Sequence, residues 1–173
     1  AEVSGRSRGM SVSEAFSTQK GETVLTLVAP AAEGDQPPPL MVVTAAGVAK
    51  RLEIAEIAGT GNGKTFLKLK SGDTVVAAFP APDATDVAMV TSNGQALRIE
   101  AKTVSIQGRG AAGVAGMKLA DGATVAGAGP VGDDTIILTH TDAQTAKVTD
   151  AGEVPIKGRG TGGVRITKFR DEK

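Results

Sequence analysis

The sequence predicts an all-β protein laid out as a radial, propeller-like array of four-stranded blades, and three observations carry that expectation. First, the chain repeats about every fifty residues: IQGRGAAGVAGMKLADGATVAGA (106–128) returns as IKGRGTGGVRITKF (156–169), which sets Arg109 fifty positions from Arg159 and Lys118 fifty from Lys168. Second, short apolar or β-branched runs are followed by turn pairs such as Ala46-Gly47 and Asn93-Gly94, the pattern of hairpins. Third, 23 glycines interrupt nearly every window long enough for a helix. Units of four strands and roughly 40 to 50 residues are the signature of blade arrays.

Two half-units alternate along the chain. The first occurs four times: SGRSRGMSVSEAFSTQKGETVLTLV (4–28), GTGNGKTFLKLKSGDTVVAAF (59–79) and the two copies above, aligned through Gly21, Gly72 and Gly122 and through Val24, Val75 and Val125. The copy at 64–79 predicts a hairpin bent at Ser71-Gly72-Asp73, with Leu67 and Leu69 alternating against Lys68 and Lys70. The second half-unit occurs three times, as LMVVTAAGVAKRLEI (40–54), VAMVTSNGQALRIEA (87–101) and TIILTHTDAQTAKVT (135–149). Thr44, Thr91 and Thr139 mark its register, and Arg51, Arg98 and Lys147 follow. Alternation over 95–99 points Leu97 and Ile99 inward and Arg98 outward. Two hairpins give four strands per repeat, and the best helical run, Ile54 to Ala58, is about one turn long. The expected division is a single domain over 1–173, with repeats at 1–37 (partial), 38–84, 85–132 and 133–173 (partial). ETVLTLV (22–28) is expected to complete a blade begun by the last copy, closing three or four blades; an open arc is the alternative.

Composition excludes several classes of function. There is no cysteine and one histidine, His140, so neither a disulfide framework, a thiolate metal site nor a histidine cluster is available. No apolar run approaches the roughly 20 residues of a membrane helix, and the N-terminal residues lack the order of a signal peptide, which fits a cytoplasmic setting. Nineteen basic residues balance nineteen acidic ones, whereas a nucleic-acid-binding domain is typically basic. The charges are nevertheless segregated: acids gather in the turn-rich links, while cations recur at fixed repeat positions, which a repeat array converts into a spatial row.

AGTGNGKT (58–65) imitates a phosphate-binding loop, but Ala58 stands at the first glycine and FLKLKSGDTVV follows, a strand pattern where the loop requires a helix. A Ser-His-Asp constellation would have to use His140, in a turn of a degenerate copy, and Asp133-Asp134 are turn residues. With no tyrosine or tryptophan and only four phenylalanines, stacking platforms for single strands are not expected. No cofactor, metal or small-molecule substrate is expected.

The combined pattern T-x-x-G-x-x-x-R followed by G-R-G-x-x-G-V-x-x-x-K-L-x-x-G-D-x-V resembles the C-terminal domain of the A subunit of bacterial type IIA topoisomerases, DNA gyrase and topoisomerase IV, over essentially the whole chain. The resemblance implies a β-pinwheel, a disc whose blades exchange strands with their neighbours. It also implies a non-catalytic module that binds and bends double-stranded DNA on a basic rim and presents it to the catalytic core of the same A subunit, and through that core to the B subunit. The cleavage tyrosine and the ATPase would lie outside this chain. The implied DNA-binding residues are Arg6, Arg8, Lys50, Arg51, Lys64, Arg98, Arg109, Lys147, Lys157 and Arg159, each neutralising phosphate without reading bases. For any repeated arginine the competing role is a structural salt bridge to a neighbouring blade's aspartate. The gyrase basic box is matched only in part, at SGRSRGM (4–10) and Gln107-Gly108-Arg109-Gly110, which points to topoisomerase IV or a weakly wrapping gyrase-like paralogue. A protein-interaction propeller that does not bind DNA is the alternative function.

Overall fold

The computed structural model describes residues 9–11, 18, 21–28, 36–58 and 63–169. Each copy of the second half-unit folds as an antiparallel hairpin: β1 (Leu40–Thr44) with β2 (Val48–Leu52), β4 (Asp86–Thr91) with β5 (Gln95–Glu100), and β8 (Ile136–His140) with β9 (Ala146–Asp150). A one-turn 3₁₀ segment follows each hairpin, at Ile54–Glu56, Ala101–Thr103 and Ala151–Glu153, and the described residues contain no α-helix.

Among the described residues the first half-unit forms no second hairpin. Its later part is a strand, β3 (Val75–Pro80) or β7 (Val125–Val131), that pairs with β1 or β4 of the hairpin preceding it. Its earlier part supplies a two-residue strand, β6 (Val114–Ala115) or β10 (Val164–Arg165), to the hairpin of the blade before. The sheets therefore run β3-β1-β2-β6 and β10-β5-β4-β7, while β8 and β9 form a pair. The hairpin expected over 64–79 is absent because Val75–Pro80 ladders onto β1, from Leu40 opposite Pro80 to Thr44 opposite Val75; Lys68, Leu69 and Lys70 stay exposed. Residues 22–28 form no strand and leave Val24, Leu25 and Leu27 exposed. Of that segment, Val28 packs beside Leu40, Val42 and Leu52.

The core lies between blades. Met41, Val43, Ala49 and Phe79 of the first blade pack with Val87, Met89, Leu97 and Ile99 of the second. Ala96, Val154 and Ile166 continue the contact towards the third hairpin. Both faces of a middle sheet are thus covered, so an alternating strand has no solvent side.

The turns explain how a borrowed strand fits. Gly94 donates its amide to Thr91 O, and its φ is +78°, giving a three-residue loop closed by a left-handed glycine. The Thr91 hydroxyl accepts the Gln95 amide at 3.0 Å, as Thr44 does from Val48 at 3.2 Å and Thr141 from Thr145 at 3.2 Å. The third copy's register therefore runs through Thr141, not Thr139, and Gln144 (φ +59°) holds the glycine's place. A Cβ on Gly94 would stand 2.5 Å from Thr167 O, in the segment contributed by the next repeat. Gly94→Ala should cost about 2–4 kcal/mol, combining left-handed strain with collision against backbone. Gly122→Ala has φ +74° and open space around it, so it should cost only about 1–2 kcal/mol; urea midpoints of the two variants measure the difference.

Candidate nucleic-acid interface

The repeated cations divide by where their charged ends go. Arg51 and Arg98 are only 2% and 5% exposed. Arg51 donates from Nε to Ala81 O at 2.9 Å and pairs with Asp83 through Nη2. Arg98 donates from Nε to Asp86 at 2.9 Å, from Nη1 to Ala151 O at 3.1 Å and from Nη2 to Asp133 at 2.7 Å. Ala151 opens the 3₁₀ turn of the following blade, and Ala101, whose carbonyl lies 3.5 Å from Arg51 Nη1, holds the same place one blade earlier. Each arginine thus fastens its blade to the next. The hydrogen bond to Asp133 raises the Arg98 pKa; burial opposes this and Asp86 reinforces it, so the guanidinium stays charged inside.

These positions correct the outward placement of Arg98 and remove Lys50, Arg51 and Arg98 from the solvent surface. The physical reason is the inter-blade core: Leu97, Arg98 and Ile99 are all buried because neighbouring blades cover both sheet faces. Lys50 is fully buried, and its Nζ donates to Phe66 O at 2.6 Å, Arg109 O at 2.8 Å and Ala111 O at 2.7 Å. Burial pushes its pKa below the ordinary 10.5, with Glu56 acting in the opposite sense. Lys147 aligns with Lys50 once the register runs through Thr141. Its Nζ donates to Ile166 O, while the residue as a whole is exposed; exposed Val148 takes the place of Arg51 and Arg98.

The Gly-Arg-Gly arginines behave differently. Arg109 is exposed, and no side-chain hydrogen bond or ion pair holds it among the described residues. Arg159 is exposed but donates from Nε to Thr103 O at 3.0 Å and from Nη1 to Ala115 O at 3.3 Å. Lys157 is exposed and lies 3.4 Å from Gly163 O. Lys64 is exposed and donates to Ala58 O at 2.9 Å. Arg6 and Arg8 lie outside the described residues.

The Arg159 loop touches the residues that follow the Arg109 loop. Gly160 donates its amide to Gly116 O at 2.6 Å, and Lys118 donates its amide to Thr161 O at 3.0 Å. The Arg159 loop therefore lies against the segment carrying Lys118. Lys118 and Lys168 are both exposed and belong with Arg109 and Arg159 as outward cations. The fifty-residue spacing that marks the repeat is also the signal for them. Among the described residues no group of three metal-ligating side chains occurs and no helix is long and apolar enough to cross a membrane.

Residues 38–82, 85–131 and 137–172 match the family described as DNA gyrase C-terminal domain, beta-propeller. The chain is 34% identical over 79 residues to the DNA gyrase A protein of Pseudomonas aeruginosa, an alignment covering 45% of this chain and 9% of that protein. It is 27% identical over 117 residues to the DNA gyrase A protein of Staphylococcus epidermidis, covering 67% of this chain and 13% of that one. It thus spans only a small part of these curated relatives. Among solved structures it is similar to the C-terminal domain of a DNA topoisomerase IV, with a TM-score of 0.84, 24% identity, and coverage of 94% of this chain and 51% of that one. Against a DNA gyrase A C-terminal domain the TM-score is 0.58 at 20% identity, covering 94% and 72%. Both likenesses are of fold.

Proposed function

The chain belongs to the DNA gyrase C-terminal domain family, and from that premise we propose that it is a duplex-DNA-binding module of a type IIA topoisomerase A subunit. The observation that carries this reading is the outward set of cations, Arg109 and Lys118 in one repeat and Arg159 and Lys168 in the next. Lysine and arginine at fixed repeat intervals bind phosphates by charge and release counterions, which supplies affinity without base readout. Neutral total charge is compatible with such a surface because Asp83, Asp86 and Asp133 are engaged by the buried arginines.

The module takes no part in bond chemistry in this reading. It holds DNA beside the catalytic core of the same A subunit, in the bacterial cytoplasm, and the nucleotide-driven steps belong to the B subunit. Bending a duplex by 40–90° costs of the order of 1–6 kcal/mol, so contacts from several repeats must act together. Duplex binding measured between about 50 and 200 mM salt tests the reading, with log affinity expected to fall by roughly 0.9 log unit per log unit of salt for each phosphate neutralised. Absent or salt-insensitive binding would sink it. Ile136 and Leu138 lie exposed on the third hairpin and favour a protein contact there; if that were the chain's main task, glutamate at Arg109 and Arg159 would leave partner binding unchanged.

A further inference from the structure

We infer that Lys50 is a positioning residue for the Gly108-Arg109-Gly110 loop, holding it from beneath so that the Arg109 guanidinium projects towards phosphate; this rests on the DNA-binding reading above. Lys50 lies on β2 and donates all three ammonium hydrogens inward, to Phe66 O of one first-half-unit copy and to Arg109 O and Ala111 O of the next. The carbonyls on either side of Gly110 are thereby turned to the same buried charge. Arg109 itself remains exposed with no side-chain hydrogen bond among the described residues.

The next blade shows that the fold does not require a lysine here. Leu97 occupies the equivalent place on β5 and is fully buried in the core, and there the loop is held by its own arginine, through Thr103 O and Ala115 O. The two loops thus reach order by opposite means. Arg159 spends guanidinium donors on carbonyls of the preceding repeat, Thr103 O and Ala115 O, whereas Lys50 anchors the other loop and leaves the donors of Arg109 available. Burying an ammonium is costly unless every proton finds an acceptor, and all three do. A loop ordered before binding gives up less entropy when the ligand arrives.

The test uses the whole chain with Lys50→Met, Arg109→Ala and the double variant, read by duplex titration over a salt series and by amide hydrogen exchange. Lys50→Met should speed exchange at 108–111 while leaving β4 and β5 unchanged, and should weaken duplex binding about three- to tenfold with the salt slope retained. Arg109→Ala should lower the slope by about 0.9, and the double variant should bind no more weakly than Arg109→Ala alone. Unchanged exchange at 108–111, or additive losses in the double variant, overturns the role of Lys50. If the unmutated chain binds no duplex, the DNA reading fails and the exchange result alone judges Lys50. Should Lys50→Met fail to fold, Lys50→Gln replaces it. Should that fail too, the unmutated chain decides by NMR: a slowly exchanging Lys50 ammonium close to Arg109 and Ala111 supports the role, and a rapidly exchanging one overturns it.

Discussion

Arg98→Met should lower the stability of the chain by about 3–5 kcal/mol, the usual cost of breaking a buried ion pair by removing one partner. The substitution preserves much of the side chain's bulk but leaves Asp86, whose side chain is 18% exposed, without its cation. It also strips a donor from Ala151 O. Asp133 contributes little to the penalty because its side chain is 83% exposed and returns to water. Arg51→Met should cost less, about 1–3 kcal/mol, because its carboxylate partner Asp83 is 74% exposed and the loss falls mainly on the carbonyls of Ala81 and Ala101. Denaturant unfolding of both variants checks the order. Adding Asp86→Asn to Arg98→Met should recover part of the loss; no recovery would show that the unpaired carboxylate is not its source.

Arg109→Glu together with Arg159→Glu should reduce duplex affinity by more than about tenfold at low salt and lower the salt slope by about 2, the expectation for two lost phosphate contacts. Reversal adds repulsion to the loss, so the effect should exceed that of alanine at the same positions. Both residues are exposed; a change at Arg109 should alter stability by no more than about 0.5 kcal/mol, whereas Arg159 also gives up its bonds to Thr103 O and Ala115 O, at about 1 kcal/mol. A folded variant with retained affinity and slope would remove the Gly-Arg-Gly loops from the interface. Glutamate at Arg51 and Arg98 gives the informative contrast: binding there should fall only as unfolding rises, because those charges are inside.

The parts of the structure legible in sequence are those with a local chemical cause. Asn93-Gly94 and Ala46-Gly47 mark real hairpins because glycine accepts the left-handed turn, and the run at Ile54 is a single 3₁₀ turn. The destination of Val75–Pro80 is hidden because alternation identifies a strand without naming its partner. Arg98 is misplaced by alternation for a related reason: period two separates core from solvent only when one face meets water. Thr139 and Thr141 compete as register marks because both precede the turn; the hydroxyl of Thr141, accepting the Thr145 amide, distinguishes them. For the interface, the fifty-residue spacing locates Arg109 and Arg159, but the same repetition also singles out Arg51 and Arg98, since a recurring inter-blade fastener and a recurring surface contact leave identical traces in a repeat.

The borrowed fourth strand also governs the order in which the chain can fold during synthesis. The β1–β2 hairpin is complete at Leu52, yet its outer partner β6 begins at Val114. About sixty more residues must therefore leave the ribosome before that edge is covered, and at roughly 5–20 residues per second this is a delay of some seconds. During it, β2 offers an unpaired edge, while Lys50 has met only Phe66 of its three acceptors. Each blade thus remains unfinished until the next repeat emerges, so released chains truncated between 80 and 110 should be far more prone to proteolysis and association than those extending beyond 120.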